Sequence, residues 1–266
     1  MPDKNWNQYW KSKKILNIEL FKVSFLFKKY LWMFFKLKFP KMKSQKSYWN
    51  TRGVVYKDEF FESNYDKIEI FYQNYFIQIL KKLKFESILE LGCGFGWNLK
   101  RINNEFKCQK ISGIDFSKPQ IENAKVFLEN EKIDIAEGDI GNLPYENNSF
   151  DLLFTFGVMM NVHKSKVDKV IEEAIRVSKK YIIHVEPNNE YYTKQLRKNR
   201  IFKTNIVSHD FLEIYKSKGV SNEFFSTYKN FAKDFEAFKE NVEFENKRWE
   251  PMEDCSKYTF LVFKKN

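Results

Sequence analysis

The segment ILELGCGFGWNL, residues 88–99, holds three of the chain's nine glycines, Gly92, Gly94 and Gly96, within five positions. An apolar run precedes them and a helical pattern follows, so the stretch predicts a strand, a tight turn and a helix start. Glycine admits positive φ and lets a ligand come close to the backbone. Amides at such a helix N-terminus face the crevice beyond the strand ends. The dinucleotide-binding spacing is GxGxxG, but here the third glycine comes one residue early and Trp97 takes the next place. Glu90 stands inside the strand end, just ahead of the first glycine. A carboxylate there repels a pyrophosphate and suits a ligand that bears an ammonium and a sulfonium.

Outward from this turn, strand and helix alternate. SILEL (87–91), KISGID (110–115), IDIAEGD (133–139), FDLLFTF (150–156) and KYIIHVEP (180–187) read as five strands, the last stopped by Pro187. Helices are expected from Gly96 to about Phe106, from an N-cap at Ser117 to about Glu129, and from about Ser165 to Ser178. YDKIEIFYQNYFIQILKKL, ahead of the first strand, carries Ile68, Phe71, Phe76, Ile79, Leu80 and Leu83 at helical spacing. HDFLEIYKSKG reads as a helix ended by Gly219, and NEFFSTY and KYTFLVFKK as late strands with no helix placed between them. The alternation predicts an α/β domain with a doubly wound, mostly parallel, seven-stranded sheet of Rossmann-like winding.

Three further residues describe a ligand. Asp115 ends the second strand, 23 residues after Gly92, where a carboxylate can accept from both hydroxyls of a ribose. Phe116 beside it offers a flat face to a purine, and Asp139 at the end of the third strand can accept from an exocyclic amine. Together they outline an adenosine with a cationic tail.

ILELGCGFGWNL, ISGIDFS, AEGDIGNLPYENNSFDLLFTFGVMMNV and AIRVSKKYIIHVEP resemble the successive motifs of class I S-adenosylmethionine-dependent methyltransferases, of the type 11-like kind, over about residues 85–187. The resemblance implies S-adenosyl-L-methionine as cofactor. It implies that Gly92, Gly94 and Gly96 cradle its methionine part, with Glu90 near the amino group and Asp115 on the ribose. Phe116 would line the adenine pocket, Asp139 and the backbone of Ile140 would read the adenine edge, and Thr155 and Phe156 would border the reactive methyl. FTFGVMMNV, RVSKKYIIHVEPNNEYY and RIFKTNIVSHDF are also similar to bacterial methylases associated with pseudaminic acid and other surface sugars. That narrower group has a His where this chain has Asn161.

Methyl transfer from a sulfonium needs mainly an in-line nucleophile held in a dry site, and a hydroxyl nucleophile gains from a base. His163, after the fourth strand, and Glu186, ending the fifth, are the candidate catalytic pair. His184, within the fifth strand, reads as a core residue, and His209 as a helix cap. The acceptor reads as a small molecule, either a surface-sugar hydroxyl or, alternatively, a lipid or quinone. A nucleotide-dependent oxidoreductase and a non-catalytic scaffold of the same winding are the readings of other classes. No Asn/Asp-Pro-Pro-aromatic motif follows the fourth strand, which argues against methylation of nucleic-acid bases.

The formal net charge of +11 is concentrated. Residues 1–50 hold twelve lysines against Asp3 and Glu19, leaving about +1 for the remaining chain and no footprint for nucleic acid there. A basic, aromatic-rich extension (1–47) is therefore set apart from a methyltransferase-like domain (48–266). Within the extension, residues 15–39 read as an amphipathic helix. Lys22, Lys29 and Lys36 lie on one side, and the stretch suits either a membrane interface or packing on another surface. It is too interrupted to span a bilayer and lacks the apolar core of a signal peptide. A cytoplasmic location with peripheral membrane contact is the resulting expectation. Cys93, Cys108 and Cys255 form no CxxC pair, so neither a disulfide framework nor a metal site is expected.

Overall fold

The computed structural model describes residues 14–15, 18–19, 27, 31, 34, 45–186, 209–242 and 258–265. The chain divides into two compact units, Met1–Tyr48 and Trp49–Asn266. In the first, Lys14–Ile15 pairs antiparallel with Ile18–Glu19, so the amphipathic stretch is not helical where it begins. Phe27, Leu31 and Phe34 are helical, and Phe27 is 63% and Phe34 69% exposed. The other residues of 15–39 lie outside the described ones.

Helix α1 (Gln45–Glu62), which belongs to the second unit from Trp49 onward, and α2 (Tyr65–Leu80) precede a sheet of seven strands among the described residues. The strands are β1 (Ser87–Leu91), β2 (Lys110–Asp115), β3 (Asp134–Glu137), β4 (Phe150–Phe156), β5 (Ser178–Glu186), β6 (Ser221–Ser226) and β7 (Thr259–Lys264). They lie in the order β3-β2-β1-β4-β5-β7-β6. The first five run parallel, and β7 pairs antiparallel with both β5 and β6. The connecting helices are α3 (Trp97–Glu105), α4 (Lys118–Phe127), α5 (Val167–Val177), α6 (Phe211–Ser217) and α7 (Tyr228–Glu240). The order reverses between β1 and β4, so the crevice opens beyond the carboxyl ends of those two strands.

Period-two alternation sorts the sheet between two cores. Ile88, Leu152, Phe154, Ile183 and Val262 face Tyr72 and Phe76 of α2, Leu99 and Ile102 of α3, and Phe231 and Phe235 of α7. Their neighbours Leu89, Leu153, Ile182 and Leu261 face Ile171 and Ala174 of α5 and Tyr215 of α6. Every strand of this central group is therefore covered on both faces, which explains its near-continuous apolar sequence.

Two helices depart from the sequence reading. The Lys/Ser-rich stretch read as a link enters α1, and α7 fills the gap left between the late strands. The α7 start is signalled by a capping box, with Thr227 accepting from the Lys229 amide and the Asn230 side chain accepting from the Thr227 amide. Phe231 and Phe235 then follow at i, i+4 and are fully buried. The third strand also ends earlier than expected, at Glu137, leaving Asp139 in the following turn.

Two glycines with positive φ separate backbone strain from crowding. At Gly219 (φ +73°) an added Cβ would meet no atom within 4 Å, whereas at Gly96 (φ +87°) it would lie 2.5 Å from Leu128 Cδ1. Gly219→Ala is expected to lower the urea-unfolding free energy by about 1 kcal/mol. Gly96→Ala should cost about 1–3 kcal/mol more. Equal losses would mean that Leu128 yields freely.

Candidate functional site

The glycine turn is an inversion of the chain's usual covering. Cys93 and Phe95 turn inward, 6% and 2% exposed, and all three glycines have positive φ. Cys93 fits because Gly113 of β2 lacks a side chain; a Cβ there would lie 2.8 Å from the Cys93 sulfur. Burial, followed by the nearby carboxyls of Asp115 and Glu90, pushes the Cys93 thiol well above its ordinary range, so it remains a protonated core residue. Cys108 is half-buried, its thiol raised to about 11 by burial and then by Asp151. Phe95 anchors the turn in an aromatic cluster, with ring centroids 5.3 Å from Phe60 of α1 and 5.3 Å from Phe127 of α4.

The three glycines differ in what they face. A Cβ at Gly92 would strike Val158 at 2.6 Å, and one at Gly96 would strike Leu128, so both are closed by protein. At Gly94 a Cβ would meet nothing nearer than Gln120 Nε2 at 3.7 Å. Gly94 is thus the position at which a ligand can lie against the backbone.

Asp115 and Glu90 flank it. Asp115 Oδ2 accepts from the Gly94 amide at 3.0 Å and Oδ1 from the Ser117 amide at 2.8 Å. Burial raises the Asp115 carboxyl above its ordinary value, against the opposing effect of these two amides. Ser117 caps α4 without a side-chain cap bond, its hydroxyl donating to the Trp49 carbonyl of α1 instead. Glu90 is 2% exposed; Oε1 accepts from Asn98 Nδ2 at 2.9 Å, and Oε2 is buried with no partner. Burial pushes its carboxyl up to about 8, with Asn98 opposing and Asp115 adding to the rise. A carboxyl so placed is a receptor for a cation. Phe116 is half-buried beside Asp115. Asp139 is exposed and accepts from the Gly141 amide at 2.8 Å, while Ile140 is 5% exposed.

The far side of the crevice is built on a buried polar chain. Glu186 is 1% exposed; Oε1 accepts from the amides of Val158 (2.8 Å) and Met159 (2.9 Å), and Oε2 from that of Met160 (3.4 Å). Its carboxyl is raised to about 7 by burial, despite these amides and the Thr155 hydroxyl. Thr155 has one hydrogen to give. Given to Glu186, it requires His184 Nδ1 to donate to Thr155 Oγ1, at 2.7 Å, and leaves His184 Nε2 to accept from the Tyr215 hydroxyl, at 2.8 Å. Burial, then His209, depresses His184 to about 3, consistent with this neutral tautomer. Phe156 packs between Phe76 and Tyr258.

The sequence-derived catalytic pair is not brought together. His163 is exposed, its Nδ1 engaged with the Ser165 hydroxyl and amide, whereas Glu186 lies beneath the turn that follows β4. His209 is not the helix cap, which is Asp210 accepting from Glu213. Buried His209 donates through Nε2 to the carbonyls of Met159 and Val162, each at 3.0 Å, and so grips from the other side the turn that Glu186 holds. Asn64, Asn148 and five glycines carry the positive φ values, and no group of three metal-ligating side chains occurs among the described residues.

Residues 88–181 match the family model described as a methyltransferase domain. Norajmaline N-methyltransferase of Rauvolfia serpentina is 30% identical over 99 residues, covering 36% of this chain and 33% of that protein. The chain spans a quarter to a third of the length of the first curated relatives it matches. Magnesium protoporphyrin IX methyltransferase from Synechocystis PCC 6803, solved with bound S-adenosylhomocysteine, superposes with a TM-score of 0.59 at 13% identity, over 83% of this chain and 98% of that one. Haemonchus contortus phosphoethanolamine N-methyltransferase 2, in complex with S-adenosyl-L-methionine, gives 0.55 at 18% identity, over 72% and 51%. The fold is that of the class I methyltransferases, and its glycine turn lies within the matched domain.

Glu90 and Glu186 both hold a proton more tightly when folded than the ordinary glutamate value of 4.5. Over the interval between that value and about 7–8, the folded protein retains protons the unfolded chain has lost. These two carboxyls should therefore take stability from the ligand-free protein as pH rises from 5 to 8, by up to about 1.4 kcal/mol per pH unit per group; below about 6.5 the buried histidines His184 and His209, both depressed, act in the opposite sense, so the net loss is read between pH 6.5 and 8. Glu90→Gln should flatten the profile in urea titrations, and an unchanged slope would show that Glu90 ionises freely.

Proposed function

We propose that the chain is an S-adenosylmethionine-dependent methyltransferase with a small-molecule acceptor. The carrying observation is the pair of carboxyls on either side of bare Gly94, one of them with a buried, unpartnered oxygen. Bound S-adenosylmethionine supplies an electrophilic methyl on a sulfonium. Glu90 receives the ammonium of its amino-acid end and ionises in doing so. Asp115, fixed by the amides of Gly94 and Ser117, keeps lone pairs free for ribose hydroxyls, and Phe116 and Ile140 flank the purine. The resemblance set Gly92 and Gly96 as part of the cradle; their task here is to let Val158 and Leu128 close on the turn, leaving Gly94 as the contact. Thr155, with its hydroxyl inside the polar chain, supports the wall that Phe156 presents.

The acceptor side supports the apolar alternative. Gly157 (φ +68°) brings the chain against Tyr258, and Phe156, Tyr258 and Met160 give this end of β4 an aromatic and thioether surface. Glu186 is fully engaged with backbone amides, so no free carboxylate stands ready as a base. A lipid or quinone fits this surface better than a sugar, and a hydroxyl of a surface sugar is the second reading. The lysine- and aromatic-rich extension supports the same choice, because a helix of that composition can rest in a lipid interface. No helix among the described residues is long and apolar enough to cross a membrane.

Calorimetry should show binding of S-adenosylhomocysteine and none of NAD, and Asp115→Ala should weaken it by about 1.5–3 kcal/mol. Preference for NAD would overturn the assignment. With methyl-labelled cofactor and a cell extract, label should appear in the organic-soluble fraction; label confined to water-soluble sugars would favour the second reading. The full chain should sediment with anionic vesicles at low salt and be released by high salt, with each surface lysine worth about 1 kcal/mol. Replacing Lys22, Lys29 and Lys36 by Glu should abolish sedimentation, and its persistence would exclude the extension as the membrane contact.

A further inference from the structure

Helix α2 carries a polar stripe where packing on a sheet calls for an apolar one. Tyr65, Glu69 and Gln73 recur at i, i+4 and i+8, so they share one face, and all three are buried. At one end of the stripe Gln73 Nε2 donates to Asn98 Oδ1 at 3.1 Å, and Asn98 in turn holds Glu90. That end belongs to the cofactor side of the crevice. Farther along, Glu69 Oε1 accepts from the Tyr65 hydroxyl and, at 3.3 Å, from the hydroxyl of Tyr258. Glu69 is 5% exposed, and a carboxyl so deeply buried is costly even when hydrogen-bonded. Neither the sheet nor the cofactor accounts for it.

Tyr258 stands directly ahead of β7, whose first residue, Thr259, pairs with Glu186 at the end of β5. That register carries the phenol to the carboxyl ends of β4 and β5, where the crevice opens. Its ring lies against Phe156 and Tyr72, with centroids 5.2 and 4.9 Å away. Gly157 gives it room, because a Cβ there would lie 3.1 Å from Tyr258 Oη. Burial, followed by Glu69, holds the phenol well above its ordinary range, so the hydroxyl keeps its hydrogen and donates it to Glu69. A hydroxyl that donates can also accept, since its oxygen carries two lone pairs.

We propose that Tyr258 is a catalytic residue for an acceptor with a phenolic hydroxyl on an apolar frame, and that Glu69 is its positioning residue. Tyr258 Oη accepts the hydrogen of the acceptor hydroxyl, and the aromatic surface of Phe156 and Tyr72 receives the frame. As the acceptor oxygen bonds to the methyl carbon, the carbon–sulfur bond breaks and its electron pair stays on sulfur. The acceptor's proton passes to Tyr258 Oη while the Tyr258 proton passes to Glu69. One positive charge on sulfur and one negative charge on the carboxylate are discharged together. Glu69 takes the proton only through Tyr258, so the crevice needs no free carboxylate. The assignment rests on the methyltransferase reading and narrows its acceptor class.

The test titrates the full chain, saturated with S-adenosylhomocysteine, with 4-nitrophenol and with nitrobenzene, which lacks the hydroxyl. The unsubstituted chain should bind 4-nitrophenol about tenfold more tightly than nitrobenzene. Tyr258→Phe should abolish that preference while the affinities for nitrobenzene and S-adenosylhomocysteine hold. In slightly acid buffer, bound 4-nitrophenol should show more phenolate absorbance than the free compound. Glu69→Gln should remove this excess, a signature that a merely structural Glu69 would not move, and it serves as the second variant should Tyr258→Phe not fold. The proposal is overturned by an absent hydroxyl preference, by one that survives Tyr258→Phe, or by a phenolate excess that is missing at the start or survives Glu69→Gln. Failure of the unsubstituted chain to bind S-adenosylhomocysteine would instead defeat the methyltransferase reading itself.

Discussion

The carboxylate of Asp115 is the pin on which the site depends. One of its oxygens fixes the amide of Gly94 and the other that of Ser117, so a single side chain sets both the turn after β1 and the start of α4. These two charge-assisted bonds add to the backbone bonds by which the Gly92 and Cys93 amides already hold the Ile114 carbonyl of β2. The cost of the carboxylate is a buried charge, which the two amides only partly offset. Around that pin, Phe95 enters the aromatic cluster and Gly94 stays bare, with the Gln120 amide beside it.

Much of this was legible because periodicity and spacing carry it. SILEL and FDLLFTF are covered on both faces and read as mostly apolar runs, KISGID is marked by its two isoleucines around small residues, and β1, β2 and β4 begin and end where those segments do. The doubly wound order followed from alternation. The late helix was missed although its start is written in Thr227 and Asn230, because its apolar residues sit between lysines and acids. Helix α1 was missed because Gly53 and the Lys/Ser-rich approach argue locally against helix. Gly53 is explained only by Ser117 and Gln120, which lie more than 60 residues away and press against it.

The site was legible in part. Glu90, Gly94 and Asp115 meet where motif spacing placed them. The crowding at Gly92 and Gly96 was not readable, because the side chains that fill their space, Val158 and Leu128, are distant in sequence. His163 and Glu186 follow adjacent strands, which suggested a pair, but sequence position cannot distinguish a rim residue from one turned under the backbone. His209 lies in RIFKTNIVSHDF and reads locally as a helix cap, which says nothing of what its ring holds. Its partners are two carbonyls, and backbone acceptors leave no trace in a sequence.

The turn Val158–Val162 is held from two sides. Glu186, at the end of β5, accepts from the amides of Val158, Met159 and Met160, and His209, just ahead of α6, donates to the carbonyls of Met159 and Val162. Donors and acceptors of one short turn are thus anchored by two separate elements, so a substitution that shifts either β5 or α6 changes where the backbone at the carboxyl end of β4 points, without touching a residue of that turn.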